Sequence, residues 1–335
     1  MKIAVSIKDV ADTLGVSVST VSRVINGQDR VSSEMRKKVT EAVQELNYVP
    51  GYAAVSIIKK QTRLVAVLVP DLRSPFYASM VQGIEETFRK TDYYTLVVAT
   101  GSSKNAETDF LNSMIGQSVD GAVIVPSTSN LSHLSDYTKP FVLLDRITGD
   151  YDFNCVTADN FRGAYLVAEH LITMGHKKIA IISGDKTVDT GHERHWGFEQ
   201  AMRDNGVRIR PEYDCVGGRT EKDGYENAFK LFHMDDTPTA IFAAGRELCR
   251  GVIMALHDLR LKVGKDISLV GFGDSDMARL SAPPVSVVSS PDDEMGRIGA
   301  QILLDKITTG AEQVSCQRVS LPVKLIVRGS VREVG

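Results

Sequence analysis

From Leu64 onward, short apolar runs alternate with amphipathic stretches: LVAVLV (64–69), YTLVVA (94–99), GAVIV (121–125), FVLLD (141–145), CVTAD (155–159), IAIIS (179–183), TAIFAA (239–244) and ISLVGF (267–272). A strand that is apolar at every position, rather than at every second one, must be covered on both faces. Helical patterns near 76–91, 104–117 and 160–174 supply such cover. The alternation confines this part of the chain to an α/β architecture with parallel sheets. The body is long enough for two Rossmann-like lobes, and 335 residues exceed the ~250–300 at which single cores stop growing.

The first 62 residues lack this texture. Ile7, Val10, Ala11 and Leu14 recur at helical spacing until Gly15 stops them. Ser17 is placed to cap a second helix, Val18 to Ile25, whose apolar side is Val21, Val24 and Ile25 and which Asn26-Gly27 ends. Ser32 or Ser33 caps a third helix with Val39, Val43 and Leu46 as its stripe, and Pro50 closes the unit. Helix, glycine turn, helix is the geometry of a helix-turn-helix. The second helix carries Val18, Ser19, Ser22, Arg23 and Asn26 opposite its apolar side. Arg23 suits two parallel hydrogen bonds to guanine, and Ser19 and the Val18 methyls suit base edges. Ser17, Thr20, Ser22 and Asn26 suit phosphate oxygens, which fix register without reading sequence. Spacing alone leaves a plain three-helix bundle with surface hydroxyls equally open. Residues 1–60 hold nine Lys/Arg against six Asp/Glu while the whole chain is at -3, so a mildly basic head precedes an acidic body.

Several classes drop out. Cys155, Cys215, Cys249 and Cys316 are scattered with no CxxC pair, which excludes a disulfide framework and a cysteine zinc site. No apolar run approaches the ~20 residues of a membrane span. MKIAVSIKDVADTLG is not a signal peptide, so the expected location is the cytoplasm, away from membranes. GxGxxG, GxxxxGK[ST] and GxSxG are all missing, so no catalytic residue is nominated and the chain is read as a non-enzyme. His192 and His195 stand three apart but read as surface histidines; no metal and no cofactor is expected. His170 and His176 read as structural, His176 beside a helix C-terminus.

IKDVADTLGVSVSTVSRVING, then VSSEMRKKV and LNYVP, resemble the N-terminal signature of the lac-repressor family. PDLRSPFY (70–77), LLDR (143–146), VTADNFRGA (156–164), GHKKIAIISG (175–184), RHWGF (194–198), PTAIFAA (238–244) and ISLVGF (267–272) continue the match in family order. The resemblance implies a helix-turn-helix head over 1–50, a hinge helix and linker over 51–62, and a two-lobed effector-binding and dimerisation domain over 63–335, similar to periplasmic binding proteins. It implies a homodimer on a near-palindromic double-stranded operator. Ala54 matches the family's hinge alanine, and Ile57 takes the place of the leucine that wedges into the minor groove. Gly51 and Val55 replace a frequent Asn and Arg, and Lys59 and Lys60 carry positive charge further along. The implied function is a transcriptional repressor of carbohydrate-metabolism genes under allosteric control by a small sugar-like effector. Two alternatives stay beside it. One is control by a protein co-repressor on the helix at 290–307, where Asp293 stands in place of that subgroup's tyrosine. The other is a cytoplasmic sugar-binding protein with no DNA role.

Paired parallel-sheet lobes bind ligands at the carboxyl ends of their strands. The residues there are Asp71, Ser74, Phe76 and Tyr77 after the first strand, then Asp145 and Arg146. Asp159 reads as a helix N-cap. Arg194, taken to open the next helix, matches a family arginine that contacts effector. Against the family pattern, Gly245-Arg246 stands where Asn-Asp is frequent, Gly273 stands where Asp is frequent with Asp274 one step on, and Arg219 falls at an aromatic position. Acid and aromatic are lost while Arg219 and Arg246 join Arg146 and Arg194, which points to an anionic effector, a sugar phosphate or sugar acid.

Overall fold

The computed structural model describes residues 5–25, 31–46, 48, 61–146, 152–184, 189–309 and 316–335. Asn26 and the hinge positions Gly51, Ala54, Val55, Ile57, Lys59 and Lys60 lie outside these. The chain divides into two compact units, Met1–Arg63 and Leu64–Gly335.

The first unit contains α1 (Ile7–Leu14), α2 (Val18–Ile25) and α3 (Ser33–Glu45). Ser6 and Asp9 form a capping box at the start of α1, and Gly15, at φ 65°, ends it by returning its N–H to Ala11 and Asp12. Ser17 Oγ accepts the Thr20 N–H at 3.2 Å, the expected cap of α2. Of the two serines offered for α3, Ser32 is the cap, accepting from Met35 N–H at 3.3 Å. Val10, Ala11, Val21, Val24, Val39, Ala42 and Tyr48 form the core. Burying Val21 and Val24 turns Val18, Ser19 and Arg23 outward to solvent.

The second unit holds two six-stranded sheets. The first lobe uses β1 (Leu64–Val69), β2 (Tyr94–Ala99), β3 (Gly121–Ile124), β4 (Phe141–Leu144) and β5 (Cys155–Ala158). The second uses β6 (Ile179–Ser183), β7 (Asp214–Val216), β8 (Ala240–Ala243), β9 (Ser268–Phe272) and β10 (Ser286–Ser289). The chain then adds β11 (Arg318–Leu321) beside β5 and β12 (Lys324–Ile326) beside β10. The orders are β11-β5-β4-β3-β1-β2 and β12-β10-β9-β8-β6-β7. Every pairing is parallel except β10 with β12. That exception follows from connectivity. β11 ends at the carboxyl edge of its sheet, and two residues later the chain enters the second sheet from its own carboxyl edge, so β12 runs backward.

Helices cover both faces as the apolar strands require. They are α4 (Pro75–Phe88), α5 (Lys104–Asn112), α6 (Met114–Ser118), α7 (Asn160–Thr173), α8 (Asp189–Asp204), α9 (Glu221–Leu231), α10 (Arg246–Asp258), α11 (Asp276–Leu280) and α12 (Asp292–Thr309). The helix expected over 104–117 is two, broken at Ser113, whose Oγ caps α6 through Gly116 N–H at 3.0 Å. Three helix pairs pack closely: α4 on α12, α7 on α8, and α9 on α10. In the last pair a Cβ at Gly251 would lie 1.9 Å from the Glu221 carbonyl oxygen, and one at Gly224 2.2 Å from that of Leu248. The backbones touch because neither position carries a side chain.

The chain passes between the lobes three times, from β5 to α7, from β10 to α12, and from β11 to β12. No helix among the described residues is long and apolar enough to cross a membrane.

Candidate functional site

Two regions concentrate chemistry, one in each unit. On α2, Ser17 Oγ lies 2.7 Å from Ser19 Oγ and 2.9 Å from Thr20 Oγ1, so three hydroxyls gather at the N-terminal end of the helix. Arg23 is exposed in its last turn and Val18 is 42% exposed at its start. Ser22 sits half-buried between them. A row of base-edge and phosphate-binding groups on an otherwise anchored helix is what major-groove reading needs.

In the body, a cleft of about 830 Å³ opens between the lobes. Its lining includes Asp71, Ser74, Phe76, Tyr77, Asp145, Arg146, Arg194, Arg219 and Arg246, so the structure brings nine of the ten expected residues together. The lining holds seven Arg or Lys against four Asp or Glu, a cationic excess.

The first-lobe wall is built on strand ends. Asp145 follows β4 with φ at 67°, a left-handed conformation that is costly for a residue with a Cβ and common where a side chain must be aimed. Its carboxylate is buried and stands 3.6 Å from Arg146 Nε. Arg146 Nη2 donates to the Tyr77 hydroxyl at 2.7 Å, while its Nη1 is buried with no hydrogen-bond partner among the described residues. Burial, with Asp145 adding to it, pushes the Tyr77 phenol up to about 12. Phe76 and Tyr77 pack ring to ring at 4.9 Å. Asp71 is taken up by Arg73, through Nε at 3.1 Å and Nη2 at 2.9 Å, an exposed pair at the rim. Ser74 precedes α4 without spending its hydroxyl on a cap.

The second-lobe wall is cationic. Arg194 lies in the second turn of α8, five residues after the helix starts rather than opening it. Its Nε donates to Asn160 Oδ1 at 2.8 Å and its Nη1 to the Ala244 carbonyl at 2.9 Å. The guanidinium covers the Phe272 ring at 3.7 Å. Both hydrogen-bond acceptors are neutral. Burial therefore pulls its pKa from 12.5 to about 10, with Arg246 adding to the effect and Asp145 opposing it. Arg246 reaches across to Asp292 Oδ2 at 2.5 Å and over the Phe76 ring at 4.6 Å. Arg219 is exposed at the mouth, its own N–H donating to Asp223 Oδ2 at 2.9 Å.

Asp274 is a correction. It does not line the cleft; its carboxylate binds Arg328 through Nη1 at 3.0 Å and Nη2 at 2.8 Å, and Arg279 through Nε at 2.9 Å. Gly273 at φ 94° turns the chain, so the residue after it points away. Burial opposes ionisation of Asp274, but Arg328 and Arg279 together hold its carboxyl below the ordinary range.

Asn160 was not foreseen as a site residue. Buried at the first position of α7, it accepts from Arg194 and donates from Nδ2 to Glu193 Oε2 at 3.0 Å, so it sets where Arg194 lies. Its position directly after the Asp159 cap, which accepts from Arg162 N–H at 2.8 Å, was the available signal. His195 is held by Asp214 at 2.7 Å, and among the described residues no group of three His, Cys, Asp or Glu is arranged to hold an ion. His176 is buried between Thr239, Ser268 and the Arg332 carbonyl. On α12, Asp293 pairs with Arg297 at 3.0 Å.

The family described as bacterial regulatory proteins, lacI family, matches residues 6–51, and a periplasmic binding protein-like domain matches residues 168–331. The HTH-type transcriptional repressor PurR of Haemophilus influenzae (strain PittEE) is 32% identical over 98% of this chain and 99% of its own length. The lac repressor dimer bound to operator and the anti-inducer ONPF superposes with a TM-score of 0.85 at 26% identity, covering 98% of this chain and 100% of that one. The transcriptional regulator CelR in complex with cellobiose gives 0.74 at 29% identity, covering 97% and 99%. With a helix-turn-helix head, two parallel-sheet lobes and relatives matched end to end, this chain belongs to the lacI family of DNA-binding transcriptional repressors.

Proposed function

We propose that this repressor works as a homodimer on a near-palindromic operator and is controlled by an anionic sugar-like effector, a sugar phosphate or sugar acid, held in the inter-lobe cleft. Two α2 helices enter successive major grooves, with Arg23 on a base edge and Ser17, Ser19, Thr20 and Ser22 against backbone and bases. The hinge positions Ala54 and Ile57 order on the duplex and open the central base step. Effector binding changes the angle between the lobes and so the spacing of the two hinges.

One observation carries the choice of an anion. Arg194 is a half-buried guanidinium whose hydrogen bonds go to neutral oxygens, beside Arg146 with an unpartnered Nη1. Buried cations are ordinarily paired, and guanidinium forks match carboxylate and phosphate oxygens two at a time. Asp145 on the facing wall offers an acceptor for hydroxyls, so a molecule with an acid group at one end and a polyol at the other fits both walls.

Thermal melting of the full chain against sugar phosphates, sugar acids and neutral sugars tests this. A ligand at about 100 times its Kd stabilises by ~2.7 kcal/mol, and that rise is expected with anions. Stabilisation by neutral sugars alone would overturn the anionic class. On DNA, Arg23→Ala is expected to cost about 1–3 kcal/mol on an operator selected from a random duplex pool and little on bulk DNA. Equal weakening on both, in a gel shift, would reduce Arg23 to a phosphate contact.

A further inference from the structure

Arg246 belongs to two constellations at once. Its side chain lines the cleft, and its Nη2 also lies 2.5 Å from Asp292 Oδ2. Arg246 is the first residue of α10, which packs on β8 and β9 of the second lobe. Asp292 is the first residue of α12, which packs on α4, β3, β4 and β5 of the first lobe. The pair therefore ties one lobe to the other, at the point where the chain has just crossed from β10. The same guanidinium lies over Phe76 of the first lobe.

The fold makes room for it. A Cβ at Gly273 would lie 2.4 Å from Arg246 Cγ and 2.7 Å from its Cζ. The arginine at 246 and the missing side chain at 273 are thus one arrangement, in which a cation has taken the space of a neighbouring side chain. Both partners are largely withdrawn from water, at 17% and 15% side-chain exposure. Asp292 Oδ1 also accepts from Ser290 Oγ at 2.5 Å. Burial nonetheless holds the Asp292 carboxyl above its ordinary range, with Arg246 and Ser290 pulling the other way. Removing the cation from such a carboxylate is costly unless the freed carboxyl takes up a proton or turns to water, while an incoming anion compensates the arginine.

We infer that Asp292 is a built-in competitor for the effector's acid group: an anionic effector takes Arg246 from Asp292, and loss of that inter-lobe bond is how occupancy changes the lobe angle. This rests on the anionic-effector reading above and assigns its regulation to a residue pair. A neutral sugar brings no charge with which to displace a carboxylate, so the same pair selects for anions. Coupling of this kind needs a ligand that interacts differently with the closed and opened pair, and shared use of one guanidinium supplies that difference.

The test uses the full chain, titration calorimetry against hexose and pentose phosphates and sugar acids, and operator gel shifts. Asp292→Asn is expected to bind the preferred anion about tenfold more tightly than wild type, the equivalent of ~1.4 kcal/mol of relieved competition. In an Arg246→Gln background the same substitution should change nothing. Without added anion, Asp292→Asn should show the operator affinity of anion-loaded wild type. Equal anion affinity of wild type and Asp292→Asn overturns the inference while the anionic reading stands. Binding of neutral sugars only, by both proteins, overturns both. Should Asp292→Asn not fold, Arg246→Gln removes the same inter-lobe bond from the other side; operator affinity must again move to the anion-loaded value, and no movement overturns the inference.

Discussion

Replacing Arg194 with methionine is expected to remove effector binding at a cost in stability of no more than about 3 kcal/mol. Two effects on stability oppose each other. The guanidinium loses its bonds to Asn160 Oδ1 and the Ala244 carbonyl, each worth about 1.5–3 kcal/mol when one partner is charged. Against that, its pKa falls from 12.5 to about 10 in the fold, a penalty on the cation of about 3 kcal/mol at ~1.4 kcal/mol per unit. Methionine fills similar volume over the Phe272 ring without that penalty. Urea unfolding should therefore show a loss of about 0–3 kcal/mol, the two bonds together outweighing or just matching the penalty. Effector affinity has no such compensation. Truncating one partner of a buried charge-assisted contact costs about 2–5 kcal/mol, or roughly 30-fold to several thousand-fold in Kd. Operator affinity without effector should be unchanged, giving a repressor that no longer answers its ligand. Calorimetry showing wild-type anion affinity in Arg194→Met would remove Arg194 from the site.

The largest stability loss is expected at Gly251, far from the chemistry. Helix propensity alone favours Gly251→Ala by about 1 kcal/mol. The new Cβ would, however, stand 1.9 Å from the Glu221 carbonyl oxygen and 2.6 Å from Tyr225 N. Those obstacles are backbone, so no rotamer change relieves them; α9 and α10 must move apart along their whole contact. Overpacking costs about 1–3 kcal/mol where side chains can yield, and here they cannot, so a net loss of at least ~3 kcal/mol is expected in urea unfolding. Gly206→Ala is the comparison. With φ at 66° and nothing within 4 Å of its Cβ, it should lose only about 1–2 kcal/mol from the left-handed conformation. Equal losses at the two positions would show that the interlock at Gly251 is looser than its geometry.

Much of this molecule was legible beforehand because its central strands are apolar at every position. LVAVLV and IAIIS can only be buried strands, and both are. Four strands outside those runs have weaker patterns: DCV at 214–216 and KLI at 324–326 have three residues each, SVVS at 286–289 has serine at both ends, and RVSL at 318–321 is an edge strand with its arginine exposed. The cleft was readable for a related reason, since strand ends in parallel sheets point to one place. Arg146 could be nominated from its strand end and Arg194 from the family resemblance, but Asn160 and Asp292 act through an arginine from another part of the chain, and pairings of that range leave no local mark. Asp274 shows the limit most clearly. One positive φ at Gly273 re-aims everything after it, and residue order does not carry the sign of a dihedral.

The threefold passage between the lobes also governs how the protein comes into being. The first lobe draws α12 and β11 from beyond residue 290, after the whole sheet β6–β10 has been made. A nascent chain leaving the ribosome therefore holds β1–β5 with one flank bare until its last few dozen residues appear. The head, complete by about residue 48, has no such wait. The DNA-reading fold is thus synthesised well before the ligand-responsive one, and translation halted within the body would release a head with no working sensor behind it.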